Sequence, residues 1–173
     1  MLLDLDTRLF LAVNGALPRW LGLVLLGVTF LGSTPAIPVW LAAVMLARRQ
    51  QRWRCVGHVA TGLALATLVE QLVKHAVARP RPWRVLGDTH TYGPLETSPS
   101  FPSGHTTTAF AIAVAVGLWW PRARWPLLAV AAAVALSRIG IGMHYPGDVL
   151  AGAALGTAAS LGVARWFRRV SGA

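Results

Sequence analysis

Cysteine is almost missing from this 173-residue chain. Cys55 stands alone, which excludes a disulfide within the chain and leaves no plausible cysteine metal site. Lysine is equally scarce: Lys74 is the only one, and arginine supplies every other basic side chain. In an Ala/Arg/Gly/Leu-rich chain this bias points to a GC-rich bacterial genome, and it makes Lys74 conspicuous. Charge of either sign is sparse. Asp, Glu, Lys and Arg make up 13% of the residues, where a soluble domain carries about 25%. With 55% hydrophobic residues and a mean hydropathy of +0.55, lipid rather than water is the expected solvent. A net charge of +10 suits nucleic acid or anionic headgroups. The basic residues sit in short clusters between long apolar runs, as in a membrane protein, so a nucleic-acid stripe is excluded. A cleaved leader is not expected either, because Asp4 and Asp6 stand where its positive region would be.

A single domain over residues 1–173 is expected, all-α and polytopic. A crossing helix needs about 20 apolar residues. Six segments qualify or nearly do: 18–32, 36–48, 55–77, 103–120, 126–143 and 147–167. The first two are short and flank the GSTPAIP stretch, where Gly32, Pro35 and Pro38 break the pattern. Residues 4–16 read as an amphipathic helix at the interface, or as an extension of the first crossing. The links with Arg48, Arg49, Arg52 and Arg54, with Arg122 and Arg124, and the end with Arg165, Arg168 and Arg169 fall on one side if six helices alternate. The positive-inside rule makes that side cytoplasmic, with both termini there. The long link 78–102 then lies outside. Its Arg79, Arg81 and Arg84 violate the rule unless they have a task. Most tryptophans fall near segment ends, as an interfacial belt would.

Three clusters carry chemistry: Lys74 to Pro82 (KHAVARPRP), Pro102 to His105 (PSGH), and Ser137 to Asp148 (SRIGIGMHYPGD). Alternation brings all three to the outer surface. Lys74, Arg81 and Arg138 are then three cations at the membrane edge, where ionisable groups are functional by default. Arginine forks and a lysine point charge suit phosphate oxygens. Gly104 opens a helix whose free N–H groups favour an anion and allow close approach. Ser103 can donate to a phosphate oxygen or merely cap that helix. Asp148, four residues after His144, can hold one imidazole nitrogen and leave the other for substrate. His105 suits proton transfer to a leaving oxygen. His105, His144 and Asp148 also have the composition of a metal triad, but three neighbouring cations would repel a metal ion.

These clusters resemble the three signatures of the type 2 phosphatidic acid phosphatase (PAP2) superfamily: K-x6-R-P, P-S-G-H and S-R-x5-H-x3-D. All three match without a substitution, in order, across residues 74–148. The resemblance implies a six-helix membrane core, no metal or other cofactor, and a phosphohistidine intermediate. It makes His144 the nucleophile, Asp148 its orienting partner and His105 the acid and then the base. Lys74, Arg81, Ser103, Gly104 and Arg138 would bind the phosphoryl group. The chain is similar to small bacterial undecaprenyl-diphosphatase-like members. The expectation is therefore a monomeric inner-membrane hydrolase with its site on the periplasmic face, acting on a lipid phosphate or diphosphate. Polyprenyl (undecaprenyl) diphosphate leads. Phosphatidylglycerol phosphate, phosphatidic acid and lipid A phosphate, transfer of the phosphoryl group to another lipid, and a non-catalytic lipid binder are the alternatives. Around the site, Glu70 is placed to pair with Lys74, in a tuning or a structural role. His58 and His75 read as packing or interface residues and His90 as exposed. Thr106 to Thr108 should bond helix carbonyls, and Gly152 and Gly156 should let helices pack closely.

Overall fold

The computed structural model describes residues 2–47 and 50–170, so Arg48 and Arg49 of the basic link lie outside it. Among the described residues there are eight α-helices and no strand. They are α1 (Leu2–Ala16), α2 (Arg19–Phe30), α3 (Ile37–Leu46), α4 (Arg52–Val77), the single turn α5 (Pro82–Val85), α6 (Gly104–Trp119), α7 (Arg124–Gly140) and α8 (Pro146–Val170). Proline sets several starts: Pro18 caps α2, Pro38 sits in the first turn of α3, and Pro146 opens α8. Each needs no N–H where a helix has no acceptor for one. At the end of α4, Ala78 adopts a left-handed conformation (φ 48°) that stops the helix and turns the chain.

The middle of the molecule is α6, packed among α4, α7 and α8. It is made of small residues, and Ala111, Ala113 and Ala115 are fully buried. A Cβ on Gly152 would collide with the Ser103 carbonyl, and one on Gly156 with the Thr107 carbonyl. These two glycines are what lets α8 lie directly on α6, as expected of a small-residue pair. Thr107 donates to the Ser103 carbonyl (2.9 Å), also as expected. Outward, large apolar side chains such as Leu23, Leu68, Leu72, Leu136 and Leu150 are more than half exposed. So much exposed apolar surface is the kind that a membrane or a partner covers.

All six expected segments are helices, but they do not make six alternating crossings. α4, α7 and α8 are each long and apolar enough to span. α6 has 16 residues, about 24 Å. α2 and α3, with 12 and 10 residues, reach about 18 and 15 Å, half the hydrocarbon thickness of about 30 Å. They run in the same direction. Gly22 lies against Tyr92 and Leu25 against Gly140 at one end of the bundle; Val28 packs on the cluster of Ala109, Ala113, Ala131 and Val134; Val44 shares a cluster with Cys55 and Val59 at the other end. The two are successive halves of one path broken at Gly32 to Pro38.

The helix expected over residues 4–16 is present as α1, bent 113° from α2. Asp6 accepts from the Gly147 N–H and from Arg79, while Asn14 donates to the carbonyls of His90 and Gly140. Both ends of α1 are thus tied to the end of the bundle where α7 stops and α8 starts. Arg165, Arg168 and Arg169 lie a full α8 length away. The expectation that both termini share a side is corrected by these bonds.

Candidate active site

Four helix ends and the link 78–102, at one end of the bundle, deliver the polar side chains. The last turn of α4 carries Lys74. After Ala78 the chain runs extended to Arg81, whose backbone caps α5. The first turn of α6 carries Gly104 and His105, with Ser103 at its cap position. The last turn of α7 carries Arg138, and Gly142 (φ +82°) reverses the chain so that His144 N–H donates back to the Arg138 carbonyl (3.1 Å). α8 opens with Asp148 in its first turn. A Ser103 N–H to Asp148 carbonyl bond (3.0 Å) joins the starts of α6 and α8.

His144 is fully buried. Its Nε2 lies 3.1 Å from Arg81 Nη1, and its Nδ1 lies 3.6 Å from Asp148 Oδ2. That second separation is an ion-pair distance, longer than a hydrogen bond. Ser100 shares the gap: its Oγ is 3.4 Å from Nδ1 and donates to Asp148 Oδ2 at 2.5 Å. The Tyr145 N–H also donates to Oδ2 (3.0 Å), and Arg79 holds Oδ1 (2.7 Å). Asp148 is therefore pinned on both oxygens. Burial, reinforced by the Arg138 and Arg81 guanidiniums and opposed by Asp148, pushes the His144 imidazole down to about 4. It is neutral at pH 7, and its Nε2 lone pair accepts from Arg81.

Around it the cations come with carboxylates. Lys74 Nζ pairs with Glu70 Oε1 at 3.0 Å, both nearly buried. Arg79 bridges Asp148 and Asp6 (2.7 Å each) and stacks on Tyr145. Arg81, fully buried, donates to the Ser98 and Met143 carbonyls and to Glu96 Oε2 (2.6 Å). Arg138 donates to Glu96 Oε1 and to Thr29 Oγ1. Its Nε is buried without a partner. His105 Nδ1 lies 3.9 Å from Glu96 Oε1, within electrostatic reach of Arg138, His144 and Lys74. Burial would raise the Glu96 carboxyl, but Arg138 and Arg81 overcome it and hold it down at about 2. It is a permanent anion.

Thus the eight residues singled out from the sequence (Lys74, Arg81, Ser103, Gly104, His105, Arg138, His144 and Asp148) share one network. Two differ in detail from expectation. Ser103 occupies the cap position without making a side-chain cap; its Oγ accepts from Thr106 instead (3.0 Å). Gly104 does give close access to the helix start, but what lies against it is the Glu70 carboxylate, 2.5 Å from where a Cβ would stand. His58 is buried far along the bundle, between Trp119 and the Ser160 carbonyl. His75 and His90 are exposed. The sequence reading missed Glu96, Ser100, Asp6 and the role of Arg79. Nothing marks a lone Glu or Ser in an irregular link. Only the violation of the positive-inside rule at Arg79 was a signal. Among the described residues no three His, Cys, Asp or Glu side chains converge as metal ligands.

Comparison with known proteins gives the same picture. The sequence model of the PAP2 superfamily matches residues 56–171. Lipid A 1-phosphatase of Rhizobium etli is 38% identical over 104 residues, which are 56% of this chain and 43% of that protein. Undecaprenyl-diphosphatase BcrC of Bacillus subtilis is 35% identical over 112 residues, 65% of this chain and 57% of that one. The chain thus spans about half the length of these relatives. The crystal structure of Aquifex aeolicus LpxE superposes with a TM-score of 0.83 at 27% identity, covering 91% of this chain and 93% of that one.

Proposed function

The chain belongs to the PAP2 superfamily, and on that premise we propose that it is an integral membrane phosphatase that removes a phosphoryl group from a lipid phosphate or diphosphate through His144. The observation that carries the reading is the pairing on one imidazole. Nε2 faces the Arg81 guanidinium at 3.1 Å, while Nδ1 faces a carboxylate anchored on both its oxygens. A neutral, oriented imidazole beside a cluster of guanidiniums is what in-line attack on phosphorus needs. Arg81, Arg138 and Lys74, with the Ser103 hydroxyl and the Gly104 N–H, stabilise the charge on the equatorial oxygens. Asp148 stabilises the imidazolium formed as the bond to phosphorus is made. His105, at the start of α6, protonates the departing oxygen and then activates the water that frees phosphate from His144.

The exposed arginines at the far end of α4, α7 and α8 favour a cytoplasmic location for that end. The site then faces the outer side of a bacterial inner membrane, with α1 beside it and the C-terminal end of α8 in the cytoplasm. α2 and α3 count as one broken crossing, which makes five. The whole works as one domain and as a monomer. The lipid tail stays in the bilayer while the headgroup enters the cup. Polyprenyl diphosphate leads as substrate, supported by the undecaprenyl-diphosphatase activity of the Bacillus subtilis relative. The lipid A activity named for the Rhizobium relative keeps other lipid phosphates open.

The test is phosphate release by purified protein, with EDTA present, from polyprenyl diphosphate, phosphatidylglycerol phosphate, phosphatidic acid and lipid A phosphate. Release from at least one of them, lost in His144→Ala, is expected. No release from any, or wild-type release by His144→Ala, overturns the reading. Labelled phosphate found on a second lipid rather than in water would reassign the enzyme as a phosphotransferase.

A further inference from the structure

Four cations crowd the site end, matched by four carboxylates: Lys74 has Glu70, Arg79 has Asp6 and Asp148, and Arg81 and Arg138 share Glu96. The cup is neutral before any substrate arrives. A phosphate therefore gains little unless one internal carboxylate leaves. The candidates are not equal. Asp148 is fully buried and Glu70 and Asp6 nearly so, whereas the Glu96 side chain is 30% exposed. Glu70 is confined against Gly104, and Asp6 is also held by the Gly147 N–H. Among the described residues Glu96 is hydrogen-bonded by the two guanidiniums and lies 3.9 Å from His105.

We propose that Glu96 is a displaceable internal anion occupying the phosphate subsite between Arg81 and Arg138, and that it sets which lipid phosphates gain access. The inference rests on the phosphatase reading for the identity of the competing ligand. A carboxylate offers two oxygens and one negative charge. The phosphodiester of an ordinary bilayer phospholipid offers the same, so exchanging Glu96 for it gains nothing. A terminal phosphate monoester brings a third oxygen and a second charge. The buried, unpartnered Nε of Arg138 is a donor that Glu96 leaves unused and a third oxygen can take. Charge-assisted bonds of this kind are the strong ones. Glu96 thereby screens the cup from the excess of diester headgroups around it and yields to a monoester or a terminal diphosphate.

Opening requires no loop movement. The flanking backbone is tied down by Arg81 Nε to the Ser98 carbonyl, Arg84 to the Thr97 carbonyl and Ser100 N–H to the Arg79 carbonyl. Rotation of the Glu96 side chain toward its exposed side is enough to clear both guanidiniums.

Inorganic phosphate is the probe, titrated calorimetrically into the purified full chain in detergent. Glu96→Gln should bind phosphate about tenfold tighter than wild type, equivalent to about 1.4 kcal/mol, with Glu96→Asp in between. Thermal unfolding provides the second measurement. Without anion Glu96→Gln should be less stable, since two buried guanidiniums lose their counter-charge, and phosphate should restore it by more than it stabilises wild type. The third is hydrolysis of a monoester lipid in mixed micelles with phosphatidylglycerol. The diester should inhibit Glu96→Gln and leave wild type unaffected. Unchanged or weaker phosphate binding in both variants, or equal inhibition by the diester, overturns the gate. The two proposals fail separately. Turnover in wild type with no gain of affinity in Glu96→Gln removes the gate and keeps the phosphatase. A gain of affinity without turnover in wild type removes the phosphatase and keeps an anion site closed by Glu96.

Discussion

The two ends of this helix bundle are both rich in arginine, and they use it in opposite ways. At one end, beside the exposed Arg8, Arg19 and Arg84, Arg81 and Arg138 are fully buried and Arg79 nearly so, each fixed by at least one carboxylate. At the other, Arg54, Arg122, Arg124, Arg165, Arg168 and Arg169 are all exposed. An exposed guanidinium keeps its water and costs nothing to maintain, so its identity as a positive charge is all that matters, and in the proposed topology it orients the chain. A buried one has lost its water and is stable only with compensating anions and carbonyls. Such compensation fixes geometry, and fixed geometry is what a reacting phosphoryl group requires. The same side chain marks sidedness at one end and builds a site at the other.

Substitutions can sharpen or break this contrast. The largest effect belongs to the group that the buried end exists to hold. If His144 is the nucleophile, as proposed, His144→Ala should reduce phosphate release at least a thousandfold, while far-UV circular dichroism stays unchanged. Arg138→Ala comes next. Loss of one preorganised cation should lower kcat/KM by about 10²–10³, measured on the best lipid of the panel. Arg79→Ala frees Asp148 and Asp6 from their shared cation. It should cost about 3 kcal/mol of stability, the scale for breaking a buried pair, and lower kcat more than phosphate affinity; denaturant titration and calorimetry would separate the two.

Acid should act on the buried end too. His144 is held near 4 by burial, below the ordinary histidine value of about 6.5. Between those values the unfolded chain binds the proton and the folded one does not. This part of the stability is complete above pH 6.5 and is lost as pH falls toward 4. Glu96, held near 2, adds a loss that begins below the ordinary glutamate value. Melting temperatures between pH 8 and 4 should show the decline, and a His144→Gln variant should reduce its slope above pH 4.5. The smallest effect belongs to the other end. Arg124→Ala and Arg168→Ala should each change stability by no more than about 0.5 kcal/mol and leave kcat/KM within twofold. A large loss from either would end the distinction between the two arginine populations.

Much of this was legible beforehand. The long apolar runs of α4, α6, α7 and α8 stand out because lipid demands them. The eight residues from Lys74 to Asp148 stand out because phosphate chemistry needs those types at those spacings. Glu96 and Ser100 were not legible, because a single acidic or hydroxyl residue in an irregular link has no pattern. Asp6 was read only as an argument against a leader. Its partner Arg79 is 73 residues away, and no local period connects the two. The segments 18–32 and 36–48 were read as two crossings because hydropathy measures how apolar a stretch is and not which way it runs.

What the sequence alone determined is the solvent and the reagents: a chain too apolar and too poor in charge for water, carrying histidines, cations and a carboxylate in fixed order. What only the tertiary structure decided is the balance among them. It placed α1 beside the site, joined α2 to α3 in one path, and set the Glu96 carboxylate between Arg81 and Arg138. The reason is that composition and spacing depend on neighbours along the chain. Charge compensation in a buried cup depends on neighbours in space, and helices folded end to end bring those from residues far apart.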